Sequence, residues 1–290
     1  MTRPIDLQQQ GVERVIGSYV VETDDGPAIF DCGPTSTLPA LRAGLLERGL
    51  ELADVRHLLL SHVHTDHAGG AGTIVREHPH VQVHVSGVGA PHLLDPSRLE
   101  ASARRLYGET FDALWGELRA VPAENLHVVG GDVLGLACFP APGHASHHVC
   151  YVDRDGTLYA GDAAGVRIAP SLIVMPPTPP PDIDLQAWDE TLDEIEARAA
   201  RLALTHFGVF DDVGRHVGEL RERLREWEEI VDSGADQDEF IARVTDGFGP
   251  LSADDLDTLD RAMPMWQSYT GLKRWVEKTR PSRSRATDAA

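Results

Sequence analysis

The sequence has no apolar run near the roughly 18 residues that a membrane-spanning helix needs, so a spanning segment is not expected. Its opening, MTRPIDLQQQGVERV, is polar and has no apolar h-region, so no secretory signal is expected either. Cysteine is scarce: Cys32, Cys138 and Cys150 lie far apart, are odd in number and form no CxxC, which excludes a disulfide framework. They read as small buried hydrophobes in a reducing compartment, which points to the cytoplasm. Positive charge is also short. Lys273 and Lys278 are the only lysines, and 26 Lys+Arg against 46 Asp+Glu leave a formal charge of −20. Such a surface repels phosphate backbones and anionic bilayers, which argues against nucleic acid or membrane as the main partner. It leaves room for a local basic pocket. What remains is ordinary: 290 residues, 42% hydrophobic and 25% charged, enough for one large domain with an appendage.

The first half alternates strand and helix signals. GSYVVET (17–23) and PAIFDCG (27–33) read as strands joined at Asp24-Asp25-Gly26, a hairpin signal. TLPALRAGLLERGL (37–50) has helical spacing; RHLLLSH (56–62) reads as a buried strand, AGGAGTIVREHP (68–79) as a helix and VQVHVSG (81–87) as a strand. Residues 91–120 are mostly helical in pattern. Four short β-like runs follow, ENLHVVGG, GLACFPAPGH, HHVCYVD and TLYAGD. PPTPPP (176–181) is an extended connector, LQAWDETLDEIEARAA (185–200) an amphipathic helix and RLALTHF (201–207) a returning strand. Residues 211–245 and 252–279 are helical, and RPSRSRATDAA reads as a disordered tail over 280–290. These signals together predict a layered α/β sandwich over 1–210, which includes the 176–200 connector and helix. A helical C-terminal region, 211–279, is expected to cover the pocket. Trp188, Phe207, Phe210 and Trp227 are candidate lining groups there, each also readable as core packing.

The densest chemistry is SHVHTDHAGG, residues 61–70. His62 and His64, two apart in extended chain, project from one face, and Asp66 and His67 lie in the turn that opens the next helix. Four ligand-type side chains in six positions are hard to read as a solvated loop, and they diverge enough to suit two metals better than one. A metal site needs neutral imidazoles and carboxylates from several directions. His144 after GLACFPAPG, Asp162 ending TLYAGD and His206 ending RLALTH each close an apolar run, where α/β architectures build their sites. Taken singly, each is weak: an Asp after a strand is most often a turn former or helix cap, and a lone His is more often structural.

HVHTDH, PGH, YAGD and THF in this order resemble the metallo-β-lactamase-fold hydrolases, over roughly residues 12–210. The resemblance implies a four-layer αββα sandwich of two mixed β-sheets. By position, His62, His64 and His144 would hold one metal, and Asp66, His67 and His206 a second. Asp162 would bridge them together with a hydroxide, and Asp31 in IFDCG would orient a ligand. Two divalent ions are implied, zinc first because hydrolysis needs no redox chemistry, with iron or manganese as alternatives. Asp66 is the candidate catalytic residue, a ligand that also shuttles a proton.

The expected function is therefore a dinuclear metal-dependent hydrolase of a small ester, thioester, lactone or phosphodiester. Asp162 moves the reading away from true β-lactam hydrolases and toward a glyoxalase II- or lactonase-like branch. No basic stripe or large insertion favours a nuclease, and His64 argues against the diiron branch that carries Glu there. The alternatives are an iron-dependent sulfur dioxygenase-like enzyme on the same fold, or a metal-binding module without catalysis. The expected partner is a small-molecule substrate, with a homodimer as the assembly such folds often form. His57, His78, His80, His84, His92, His127 and His216 read as surface or packing residues, and His148 is a candidate neighbour of the ligands.

Overall fold

The hairpin turn at Asp24-Asp25-Gly26 forms because Gly26 takes a φ of +103°, a conformation open to glycine at little cost. In the computed structural model, which describes residues 2–169 and 172–287, this turn joins β2 (Gly17–Thr23) to β3 (Gly26–Phe30). The two pair antiparallel with Tyr19 opposite Phe30, and a short β1 (Ile5–Asp6) adds to the edge. Then α1 (Leu38–Leu46) leads to β4 (His57–Leu59), and α2 (Thr65–Ala68) with α3 (Ala71–Glu77) leads to β5 (Gln82–Ser86). After α4 (Ala90–Leu94), α5 (Ser97–Tyr107) and α6 (Phe111–Trp115), β6 (Leu126–Val129) closes a six-stranded mixed sheet in the order β1-β2-β3-β4-β5-β6. Strands β3 to β6 run parallel, as helical crossovers require.

The second sheet begins with β7 (Ala137–Pro140), β8 (Val149–Val152) and β9 (Thr157–Gly161), an antiparallel meander. A two-stranded ribbon, β10 (Val166–Arg167) and β11 (Val174–Met175), and helix α7 (Leu185–Arg198) follow. Strand β12 (Arg201–Leu204) returns parallel to β9, and β13 (Gly208–Phe210) pairs with it, giving the order β13-β12-β9-β8-β7. The chain then runs through α8 (Val213–Asp232), α9 (Gln237–Asp246), α10 (Ala253–Ala262) and α11 (Met265–Thr287).

Alternation along the strands builds four layers. On β3 and β4, Ile29 and Leu58 face α1 and α3, while Ala28, Phe30 and Leu59 face the other sheet. On β9 and β12, Leu158, Ala160, Leu202 and Leu204 face α7 and α8, while Tyr159 and Ala203 face inward. Being buried on both faces, these strands read as continuous apolar runs. The two sheets meet through rings: Tyr19 and Tyr159 lie edge to face at 5.8 Å, Phe30 and Tyr151 at 6.0 Å. Two buried hydroxyls tie the sheets together, Tyr19 donating to the Leu204 carbonyl (2.7 Å) and Tyr151 to the Leu60 carbonyl (3.2 Å).

The architecture is the expected αββα sandwich with C-terminal helices. The differences are local. The helix expected over 68–79 is broken into α2 and α3, because the Gly70 N–H bonds the Gly33 carbonyl (2.8 Å) at the junction. The β10–β11 ribbon and β13 were not expected, since two or three residues are too few to show alternation. Where a disordered tail is expected over 280–290, the backbone of 280–287 extends α11, which needs no new helix nucleus; residues 288–290 lie outside the described ones. Trp188 and Trp227 are fully packed core residues, Phe207 packs against the C-terminal core and Phe210 stacks under the Arg167 guanidinium at 4.3 Å. None of the four is among the residues found lining the cavity described below, which corrects their reading as lining groups. No helix among the described residues is long and apolar enough to cross a membrane.

Candidate metal centre

The parallel strands β3 and β4 end together, and their following loops lie side by side. Asp31, directly after β3, has a φ of 48°, a left-handed conformation that Asp tolerates better than most residues. This turn aims its wholly buried carboxylate at the loop after β4. There Oδ1 accepts the Ser61 N–H (2.8 Å), and Oδ2 accepts the Ser61 hydroxyl (2.8 Å), the Thr205 hydroxyl (2.8 Å) and His67 Nδ1 (2.7 Å). The expected orienting role for Asp31 thus has a concrete partner, His67. Because the Ser61 hydroxyl donates to Asp31, it can accept from His62 Nδ1 (2.9 Å).

Two further imidazoles, His144 and His206, are turned by backbone carbonyls. His144 Nδ1 donates to the Pro177 carbonyl (2.8 Å), and His206 Nδ1 donates to the Val15 carbonyl (2.6 Å). Holding the proton on Nδ1 leaves Nε2 with its lone pair facing the centre. Three nitrogens then meet: His64 Nδ1 lies 2.9 Å from His62 Nε2 and 3.0 Å from His144 Nε2. A second group meets beside it. His67 Nε2 is 3.6 Å from Asp66 Oδ2, and His206 Nε2 is 3.4 Å from the same oxygen. Asp162 faces both groups, with Oδ1 3.3 Å from His67 Nε2 and 3.5 Å from His206 Nε2, and Oδ2 3.3 Å from His144 Nε2. All seven residues singled out in the sequence therefore converge.

The electrostatics of the two groups differ. Burial first, then the neighbouring imidazoles, push His62 and His64 well below the usual imidazole range; burial also lowers His144. Burial works the same way on His67 and His206 but is outweighed by Asp162 and Asp66, so both are raised. Burial alone would raise the Asp66 carboxyl, but His67 and His206 beside it bring it down to about 2. Asp162 is held well below the carboxylate range by His67, His144 and His206 against the same burial penalty.

The donors fit divalent cations. His67 Nε2, His206 Nε2 and Asp162 Oδ1 are buried with no hydrogen bond of acceptable geometry, a costly state for polar atoms without a further partner. Three sets have ligand atoms close enough to share an ion: His62, His64 and His144; His62, His67 and Asp162; and Asp66, His67 and His206. Separations of 2.9–3.6 Å are those left between ligands bonded at about 2.0–2.1 Å to one ion.

Several supporting residues escaped the sequence reading. Ser61 and Thr205 each precede a motif histidine and anchor Asp31, so adjacency was their only signal. His148 is buried and its Nε2 accepts the Asp162 N–H (3.2 Å), which bears out a place beside the ligands. Gly161, at φ +50°, leaves the space this needs: a Cβ there would lie 2.5 Å from Ser61 Cβ and 2.8 Å from His148 Nε2. His92, read as surface or packing, and His147, given no role from the sequence, line a cavity of about 530 Å³ that opens onto His64, Asp66, His144, Asp162 and His206. Its walls come from α5 and α6 on one side and from the 177–182 connector and the α10–α11 turn on the other. The C-terminal region contributes only Arg261–Pro264, Gln267 and Ser268 to the cavity lining among the described residues.

A two-sheet αββα sandwich with a His/Asp cluster at the strand ends, deep in a cavity, defines a metal-binding, hydrolase-type class. The chain belongs to the metallo-beta-lactamase superfamily, whose family model matches residues 13–206. Among curated proteins it is 28% identical over 157 residues to YobT, an uncharacterized protein of Bacillus subtilis, covering 52% of this chain and 63% of that one. It is 26% identical over 131 residues to an atrochrysone carboxyl ACP thioesterase of Pseudocercospora fijiensis, covering 45% of this chain and 31% of that one. The chain thus spans less than two thirds of the length of these relatives. Among solved structures, an archaeal metallo-beta-lactamase superfamily protein from Sulfolobus tokodaii superposes with a TM-score of 0.66 at 19% identity, over 94% of this chain and 97% of that one. At that identity the likeness concerns the fold.

Proposed function

We propose that this chain is a dinuclear metal-dependent hydrolase acting on a carboxylic thioester or ester. The observation that carries the reading is the two-sided Asp162 carboxylate, one oxygen toward His67 and His206 and the other toward His144. His62, His64 and His144 would hold one ion and Asp66, His67 and His206 the other, with the Asp162 carboxylate lying between the two sets. The all-nitrogen-and-oxygen donor set suits zinc first, with iron or manganese as alternatives. Bound ions supply Lewis-acid polarisation of a carbonyl and an activated water at neutral pH.

The protein's own groups do the rest. Asp31 holds the His67 proton on Nδ1 and so keeps Nε2 available as a ligand. Asp66, 22% exposed at the side chain, is a carboxylate of the cluster that reaches the cavity, where it can take a proton from an entering nucleophile and return it to a leaving group. The thioesterase name of a fungal relative supports the thioester over the phosphodiester. The test is metal analysis combined with a panel of thioesters, esters, lactones and a phosphodiester. The expected result is two ions per chain and chelator-sensitive thioester turnover. Turnover unaffected by removing all metal, or of the phosphodiester alone, would contradict the reading.

A further inference from the structure

Helix α5 is strongly two-sided, yet none of its residues is buried. Its polar side is accounted for by Arg104, which bonds Glu100 (2.9 Å) and Asp112 (2.7 Å). Its other side, Leu99, Ser102, Ala103, Leu106 and Tyr107, follows the i, i+3, i+4, i+7, i+8 spacing of one helix face and lines the cavity. A stripe of this kind ordinarily packs into a core; here it is half exposed and faces the space above the metal ligands.

The stripe has a direction. Tyr107, at its C-terminal end, accepts a hydrogen bond from Gln267 Nε2 (2.9 Å) and stands close enough to feel the Asp66 charge. Leu99 lies eight residues back, about 12 Å along the helix. The cavity is thus polar where Asp66, Asp162 and His147 line it and apolar along the α5 face, with Met263 and Trp115 also in its lining. Of the two arginines among the described lining residues, Arg261 is already paired with Asp257 (2.7 Å) and Arg98 sits on α5.

From this gradient we infer that the substrate is a neutral acyl thioester or ester with an extended apolar acyl chain, laid along Leu99, Ala103 and Leu106 with its carbonyl at the metal end. This rests on the proposed hydrolase reading and goes beyond it by naming the acyl part. Water attacks the carbonyl carbon and the bond to sulfur or oxygen breaks. The thiolate or alkoxide takes up one proton of the water and leaves as the thiol or alcohol; the acid formed releases the other to solvent as it becomes the carboxylate, so no further reactant is needed.

The test uses the metal-loaded protein and acetyl, hexanoyl and decanoyl thioesters of N-acetylcysteamine. Each buried methylene is expected to raise kcat/KM about fourfold, so burying three or four of those added between acetyl and decanoyl gives about a hundredfold. Leu99→Gln and Leu106→Gln, both at unburied positions, are expected to lower the decanoyl-to-acetyl ratio at least about tenfold. Calorimetric binding of decanoate to the metal-free protein needs no turnover, and the same variants are expected to weaken it. Equal turnover of acetyl and decanoyl thioesters, or a ratio and a decanoate affinity unmoved by both variants, would overturn the acyl-chain assignment while leaving the hydrolase reading intact. Absence of turnover for every thioester and ester, with decanoate still bound, would instead overturn the hydrolase reading.

Discussion

The two halves of the metal cluster sit a few ångströms apart and are built on opposite principles. His62, His64 and His144 are three imidazoles that burial keeps neutral, with no carboxylate of their own. Asp66, His67 and His206 carry a carboxylate in the set, and the surrounding acids raise both histidines. One half offers soft, uncharged donors and borrows its only negative charge from Asp162. The other has a carboxylate of its own, Asp66, which offsets the charge its raised histidines take up. The difference shows why one carboxylate matters so much: Asp162 balances charge in both halves, and only one half has a substitute.

Removing that shared group is expected to have the largest effect. Asp162→Ala should lower kcat/KM at least about a thousandfold, with metal content falling toward one ion per chain, read by elemental analysis beside the assay. The ion that stays should be the one at Asp66, His67 and His206, and its retention at the all-imidazole set instead would break the comparison. Single-ligand variants sharpen it next. His206→Ala should empty only the acidic half and His64→Ala only the neutral half, each leaving about one ion and costing about a hundredfold or more in rate. A smaller loss is expected from Asp31→Asn, which removes the acceptor that fixes His67 without touching a metal. Affinity for the ion in the acidic half should fall about 10- to 100-fold, while the other ion's affinity stays within a few-fold.

The smallest effect lies outside both halves and concerns pH. Burial lowers His84, His147 and His216 to about 4 each. In the unfolded chain these residues take up protons below about 6.5, so between about 6.5 and 4 the unfolded state binds more protons and stability falls as pH falls. Thermal melts of metal-free protein should show a lower Tm at pH 4.5 than at pH 7. In His216→Asn, which lacks one of these buried imidazoles, that difference should narrow by roughly 2–4 °C.

The seven converging positions were legible because a metal site, if that is what they build, restricts residue type to His and Asp. A His or Asp closing an apolar run carries information that no single core residue does, and the four motifs HVHTDH, PGH, YAGD and THF in order point to a family. The strands were legible for a related reason: buried on both faces, Ile29, Phe30, Leu58 and Leu59 make dense apolar runs with clear ends. The cavity was not legible. Trp188 and Trp227 are large aromatics that equally suit a core or a pocket, and only packing tells the two apart. The stripe on α5 looks like any amphipathic helix until it is seen lining the cavity. Ser61 and Thr205 are common residues whose value comes from Asp31, 30 and 174 positions away.

The account turns on Asp162 joining two ion sites into one centre. Titrating the metal-free protein with cobalt(II), followed by its visible spectrum and by electron paramagnetic resonance, tests this directly. Two ions per chain are expected, magnetically coupled, with the coupling lost in Asp162→Ala. Saturation at one ion, or two ions that show no coupling in the unmodified chain, would contradict it.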